Sequence, residues 1–340
     1  MRTATEIVLP GVVEPAGLLV RDRELAAPAA GQALVRVEAT GVSFAEQQMR
    51  RGKYYDQPPF PFTPGYDLVG RVEAAGPGVD PALVGTRVAA VTKTGGWSTA
   101  VLLDAATLIP VPDGIDPAAA ETVVVNGVTA WQMLYRVAKA RPGGTILVHG
   151  ANGGVGSTLT QLARHDGIRV VGTASPRHHD KVRALGAEPL DYRAPDLAER
   201  ARALSPGGYD AVFDHVGGAG IADSWRLVAR GGSLVSYGTA ATRDDAGNAR
   251  LPVLALFTRL LWWNALPNGR SASFYNLWAG NRRPEAFRAR MREDLTRVFA
   301  RLADGTLTAQ VAARVPLRDA AEAMRLAESG TVTGKVVLVP

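Results

Sequence analysis

The segment Ile146-Leu147-Val148-His149-Gly150-Ala151-Asn152-Gly153-Gly154-Val155-Gly156-Ser157 reads as a short apolar strand, a glycine-rich turn and the first residues of a helix. The spacing Ala151-x-Gly153-x-x-Gly156 is that of a dinucleotide fingerprint with alanine in the first glycine position. Such glycines permit a tight turn and let the backbone approach a pyrophosphate, which the helix N-terminal N–H groups then hold. About 20 residues further on, an NAD site places an acid against the ribose 2′-hydroxyl. Here the next strand, Val170–Ala174, leads instead to Ser175, then Pro176, Arg177, His178 and His179. A small hydroxyl backed by cations suits a 2′-phosphate, which an acid would repel. Arg177, His178, His179 and Lys181 all remain open as its partner. Adjacent side chains diverge, and no third ligand accompanies His178 and His179, so no metal site is expected there.

The elements that must position this turn change character along the chain. Before about residue 120, short Val- and Ala-rich runs at Ala33–Val42, Leu68–Ala75 and Thr86–Thr92 lie between glycines and prolines, the pattern of a small barrel. Asp116 and Pro117 are placed to cap and open a helix. After Gly143-Gly144, strands at Ile146–Val148, Val170–Gly172, Ala211–Phe213 and Leu234–Val235 alternate with helical stretches at Val155–His165, Asp180–Leu185 and Ala222–Val228, which predicts a doubly wound parallel sheet. A charged helix from Pro284 follows. The pieces at Ala309–Val315, Asp319–Glu328 and Lys335–Val339 then resume the first pattern.

With 340 residues, 46% of them hydrophobic and 21% charged, the chain has the composition of a globular protein of two domains. It has no cysteine, which excludes disulfides, thiolate nucleophiles and Cys-ligated zinc. The net charge of +6 comes mainly from arginine; Lys53, Lys93, Lys139, Lys181 and Lys335 are the only lysines. The most basic stretch also carries acids, and Arg290/Asp294 and Glu293/Arg297 fall four apart, as on a solvated helix face. Nucleic-acid binding is therefore not expected. Met1–Gly11 lacks the apolar core of a signal peptide. Leu251–Leu266 is too short and too broken to span a bilayer and reads as a buried helix or a subunit contact. A cytoplasmic protein without membrane partners is the expectation.

Taken in order, these residues resemble the medium-chain dehydrogenase/reductase superfamily in its zinc-free quinone oxidoreductase branch. The resemblance rests on Gly41-Val42-Ser43-Phe44, Arg51-Gly52-Lys53-Tyr54, Pro61-Phe62-Thr63-Pro64-Gly65-Tyr66-Asp67 with Gly70, and Asn126-Gly127-Val128-Thr129-Ala130. It continues through Gly153–Gly156, Leu185-Gly186-Ala187, Asp214-His215-Val216-Gly217 and Gly334-Lys335-Val336-Val337-Leu338. It implies an α/β architecture: a GroES-like β-barrel domain at 1–124 and 281–340, and a Rossmann domain at 125–280, with NADPH in the cleft. It further implies cofactor contacts at Asn126, Thr129, Asn152, Gly153, Gly154, Val155, Gly156, Ser175, Arg177, His179 and Tyr192, with His215, Val216, Gly238 and Lys335 close by. Ser43, Tyr66 and Asp67 stand where zinc-dependent relatives carry Cys and Gly-His-Glu residues, so no metal is expected. Ser43 also replaces the usual active-site Asn.

Without a metal, the acceptor must take hydride readily, as quinones and α,β-unsaturated carbonyls do. Charge then develops on an oxygen that needs hydrogen-bond donors. Tyr54 and Ser43 are the expected donors, and Tyr54 or water the proton source. Tyr55 and Trp97 read as packing. The competing reading is an NADPH-binding sensor, interaction or RNA-binding crystallin-like protein with little turnover. A homodimer is expected from Ser271–Tyr275, which resembles the family's edge strand, and from the apolar Leu251–Leu266.

Overall fold

A computed structural model describes residues 2–242 and 250–340. The chain forms two compact units, Met1–Val128 with Arg282–Pro340, and Thr129–Asn281. These bounds lie slightly beyond the breaks read at 124 and 280, because the helix Val125–Trp131 runs through the first of them.

In the first unit the long strand Gln32–Val42 is the spine. Asp67–Ala75 pairs antiparallel along one edge, while Ala100–Asp104 and Lys335–Val339 share the other. Arg87–Val91 and Ile109–Pro110 extend the sheet on one side, and Val311–Pro316 lies parallel to Lys335–Val339 on the other. Alternating residues Val35, Val37, Leu68, Val72, Val88 and Val101 fill its core, as the period of two requires. Asp116 caps Pro117–Thr122 by accepting from the Ala119 N–H at 3.0 Å.

The helix Pro284–Ala303 departs from its expected solvated face in one respect. Glu293 and Arg297 do pair in solvent at 2.8 Å, but Asp294 is fully buried. It falls on the same stripe as Met291, Leu295 and Val298, at spacings of three and four that define the inward face.

The second unit is a six-stranded parallel sheet in the order Ala187–Asp191, Arg169–Ala174, Thr145–Val148, Tyr209–Asp214, Val228–Ser236 and Ser271–Phe274. Ala187–Asp191 escapes the sequence pattern because Pro189 and two acids interrupt it; as an edge strand it tolerates a proline. The helix Arg250–Ala265 is half-buried rather than buried. Leu256, Leu260 and Trp263 pack inward, with Trp263 stacked on Trp225 at 5.0 Å. Leu254, Phe257, Leu261 and Trp262 face solvent. Among the described residues, no helix is long and apolar enough to cross a membrane.

Candidate functional site

In the second unit the glycine-rich turn leaves the sheet at Val148 and enters the helix Gly154–His165. Gly150 adopts a positive φ of 68°, and Gly153 closes the turn by donating to the Gly150 carbonyl at 2.9 Å. A Cβ on Gly156 would lie 2.3 Å from the same carbonyl, so no larger residue fits. The amides of Gly154, Val155 and Gly156 begin the helix and stand outside its internal ladder.

The neighbouring strand end is pinned to this turn by a buried network the sequence did not reveal. Asp214 accepts from the Val216 and Gly217 N–H groups at 2.7 and 2.8 Å and from the Ser224 hydroxyl at 2.6 Å. His149 reaches the same Ser224 hydroxyl at 3.0 Å and Thr173 at 3.3 Å. The network thereby ties three strand ends together. His215 is held over Gly150, where a Cβ would lie 2.4 Å from its ring. Burial lowers its pKa, against Asp214 and helped by His149. Its Nδ1 is buried without a hydrogen-bond partner among the described residues. Gly238 closes on the His215 backbone from the next loop.

At the 2′ end the candidates separate. Ser175 is buried at the start of the turn Pro176–His178, and His178 is buried with it. His179 turns back to the Ala174 carbonyl at 3.2 Å, while Arg177 is exposed. The pairing of Asp191 with Ala174 sets the half-exposed Tyr192 beside Ser175. Arg193, which was not singled out from the sequence, donates to the Tyr192 hydroxyl at 3.2 Å and lies over its ring. Asn152 and Thr129 belong to this unit; Asn126 belongs to the first, where its side chain donates to the Thr122 carbonyl at 3.0 Å.

The first unit holds the other candidates. Ser43 is the N-cap of Phe44–Arg50 in a capping box with Glu46. Its hydroxyl and N–H both donate to Oε2 of Glu46, and Oε1 accepts from the Tyr66 N–H at 2.6 Å. Ser43's proton is thus committed to a cap rather than offered to a substrate. Glu46 is fully buried; burial raises its pKa, the Ser43 hydrogen bond and Lys335 oppose the rise, and Asp67 adds to it. The Tyr54 hydroxyl lies 2.9 Å from that of Tyr66, and both rings are buried.

Lys335 lies in the same unit and is buried, its ammonium 2.8 and 2.7 Å from the Asp67 oxygens and 2.6 Å from Glu121. Burial opposes its charge, but Asp67 and Glu121 overcome that and raise its pKa. In this arrangement Lys335 serves the barrel's interior.

Residues 29–113 match the alcohol dehydrogenase GroES-like domain family, and 185–338 match the zinc-binding dehydrogenase family. A synaptic vesicle membrane protein VAT-1 homologue of Rattus norvegicus is 32% identical over 92% of this chain and 78% of its own. The chain belongs to the medium-chain dehydrogenase/reductase superfamily, in its quinone oxidoreductase-like branch. Within that superfamily it is similar to the quinone oxidoreductase of Pseudomonas syringae, at 30% identity and a TM-score of 0.84 over 99% of this chain and 100% of that one. It is also similar to the Escherichia coli quinone oxidoreductase complexed with NADPH, at 25% identity and a TM-score of 0.86 over 99% and 100% of the two chains.

The donor set does not fit the zinc of some superfamily members. The chain lacks cysteine, and no group of three or more His, Asp or Glu among the described residues could hold a metal. Where carboxylates do converge, at Asp67 and Glu121, the ammonium of Lys335 occupies the space between them.

This ion cluster generates a stability prediction. Burial pushes Glu121 well above the ordinary carboxyl range, against the pull of Lys335 and with Asp67 adding to the rise. A carboxyl raised on folding stabilises most below its unfolded-state pKa, and that contribution is lost as pH climbs through the folded-state value. Glu121→Gln should therefore flatten the fall in melting temperature with rising pH. Lys335→Met should cost about 3–5 kcal/mol at neutral pH, because it leaves the buried Asp67 carboxylate without its counter-ion. Thermal melts across the pH range check both.

Proposed function

We propose that this protein is an NADPH-dependent oxidoreductase that reduces a quinone or an α,β-unsaturated carbonyl without a metal. The observation that carries the reading is the turn at Gly150–Gly156, where Gly150 and Gly156 admit no side chain, while Nδ1 of the adjacent His215 is buried with no hydrogen-bond partner among the described residues. The E. coli relative in complex with NADPH supports the same cofactor here. Gly153, Gly154, Val155 and Gly156 would hold the pyrophosphate, with Asn152, Asn126 and Thr129 near the rest of the nucleotide. His215, Val216 and Gly238 would border its nicotinamide end. Ser175 and Tyr192 would receive the adenosine end, with the exposed Arg177 on the 2′-phosphate.

Bound NADPH supplies a hydride. The protein must then stabilise negative charge on the acceptor oxygen with a neutral donor. Tyr54 meets that need: burial, with Tyr66 and Tyr55 adding, holds its phenol far above the ordinary range, so it stays protonated. Ser43 is the weaker candidate because its hydroxyl serves Glu46.

A second reading, an NADPH-binding interaction or sensor protein with little turnover, draws on the exposed apolar face of Arg250–Ala265. Turnover of simple quinones with NADPH separates the two. The same face, together with Ser271–Phe274 as a sheet edge, supports a homodimer. Light scattering at micromolar concentration should give twice the chain mass.

Arg177→Ala should weaken NADPH by about tenfold, or roughly 1.4 kcal/mol, and leave NADH nearly unchanged. Calorimetric titration with both nucleotides checks this. Tyr54→Phe keeps the ring and removes only the donor. It should lower turnover roughly a hundredfold to a thousandfold, or about 2.7–4 kcal/mol, with NADPH affinity unchanged. Wild-type turnover of both a quinone and an enone by this variant would leave Tyr54 as a wall only.

A further inference from the structure

The first unit gathers three phenols where the reduction needs one. Tyr54 and Tyr66 share a 2.9 Å hydroxyl contact with their rings edge-on at 84°, and the ring of Tyr55 lies 4.8 Å from that of Tyr54. The Tyr54 and Tyr55 rings are tilted at 45° to each other, and Tyr55 adds to the rise in the Tyr54 pKa that burial causes. The three differ in depth: Tyr66 and Tyr54 are buried, and Tyr55 is partly open to solvent.

We propose that Tyr55, Tyr54 and Tyr66 form a phenol relay: Tyr54 gives the proton to the reduced acceptor, Tyr55 replaces it from solvent, and Tyr66 positions the Tyr54 hydroxyl. This rests on the oxidoreductase reading above and assigns its proton path. The acceptor gains two electrons with the hydride. The Tyr54 O–H bond breaks as the acceptor gains its proton; the Tyr54 O–H bond re-forms with the Tyr55 proton, and Tyr55 takes one from water. The net demand is one hydride and one solvent proton.

Two features support the relay. A buried Tyr54 phenolate is strongly disfavoured by desolvation, so its proton must be replaced as it leaves. Tyr66 is too enclosed to exchange with bulk water, and its backbone N–H is held at 2.6 Å by Glu46, which the Ser43 cap also engages. Tyr66 is thereby a fixed partner that orients Tyr54. Tyr55 is the member with access to solvent.

The test uses the full chain with NADPH and either 1,4-benzoquinone or 2-cyclohexenone, in mixtures of light and heavy water. The wild type should give a bowed dependence of kcat on deuterium content, since more than one proton is in flight. Tyr55→Phe should straighten that dependence and lower kcat about tenfold with KM unchanged, the scale of one neutral hydrogen bond. Imidazole added to Tyr55→Ala should restore turnover by carrying the proton itself. Tyr66→Phe should lower kcat about as much, alter the solvent isotope effect and resist imidazole. A straight dependence in the wild type, or solvent isotope effects unchanged in both Phe variants, overturns the relay. If NADPH deuterated at the transferred position still shows its primary isotope effect, the reduction stands and only the relay fails. If neither acceptor oxidises NADPH, the functional reading fails and the relay falls with it.

Discussion

Lys335 enters the barrel on one of its last strands, and its ammonium is shut away from water between Asp67 and Glu121. The Lys335 ammonium and the Asp67 carboxylate are not tolerable there without each other, because leaving one buried ion unpaired costs about 3–5 kcal/mol. The consequences spread through Asp67. Its second oxygen also accepts from the Val125 N–H at 3.0 Å, and its carbonyl accepts from the Thr40 hydroxyl at 2.7 Å. The next residue back is Tyr66, whose N–H is fixed by Glu46 and whose hydroxyl meets Tyr54. The phenol cluster is therefore positioned by an electrostatic joint buried in the barrel.

The two units solve different problems with different materials. The glycine-rich turn offers backbone amides and admits no side chain at Gly150 or Gly156, which suits a phosphate whose charge needs many weak donors. The barrel offers phenols kept neutral by burial, which suits an oxygen that acquires charge only in passing. The charged side chains Lys335, Asp67 and Glu121 in the barrel interior pair among themselves. Arginine supplies most of the net positive charge, and much of it lies at the surface in pairs such as Arg297–Glu293 and Arg169–Glu188. Such pairs suit solubility better than catalysis.

Much of this was legible in the chain. Strand and helix periodicities located four of the six parallel strands, because strands buried on both faces read as unbroken apolar runs. Ala187–Asp191 was not, because an edge strand with a proline and acids carries no such run. The glycine spacing marked the turn at Gly153 and Gly156. No spacing could announce that Asp214, Ser224, His149 and Thr173 converge, since their contacts span up to 75 residues. Ser43 was recognised by place, but its hydroxyl had an equally local use: Glu46 three residues on is the other half of a capping box, a signal present in the sequence and outweighed there by the resemblance. Lys335 illustrates the same limit, since a lysine beside a glycine can face a ligand or the core, and only its partners decide.

The return of the last strand to the barrel sets the order in which the chain can be built. The second unit is drawn from a continuous stretch, and all six of its strands emerge before residue 282. The first unit cannot complete its spine until Lys335–Val339 pairs with Thr40–Val42, nearly three hundred residues after that edge was synthesised. During translation, the early segment must therefore wait with an unpaired strand edge and two buried-to-be carboxylates, Asp67 and Glu121, still lacking their counter-ion. A long-range closure of this kind is slow and leaves a nascent chain open to misassembly. All of the nucleotide-type unit is thus synthesised before the strand that completes the barrel's spine.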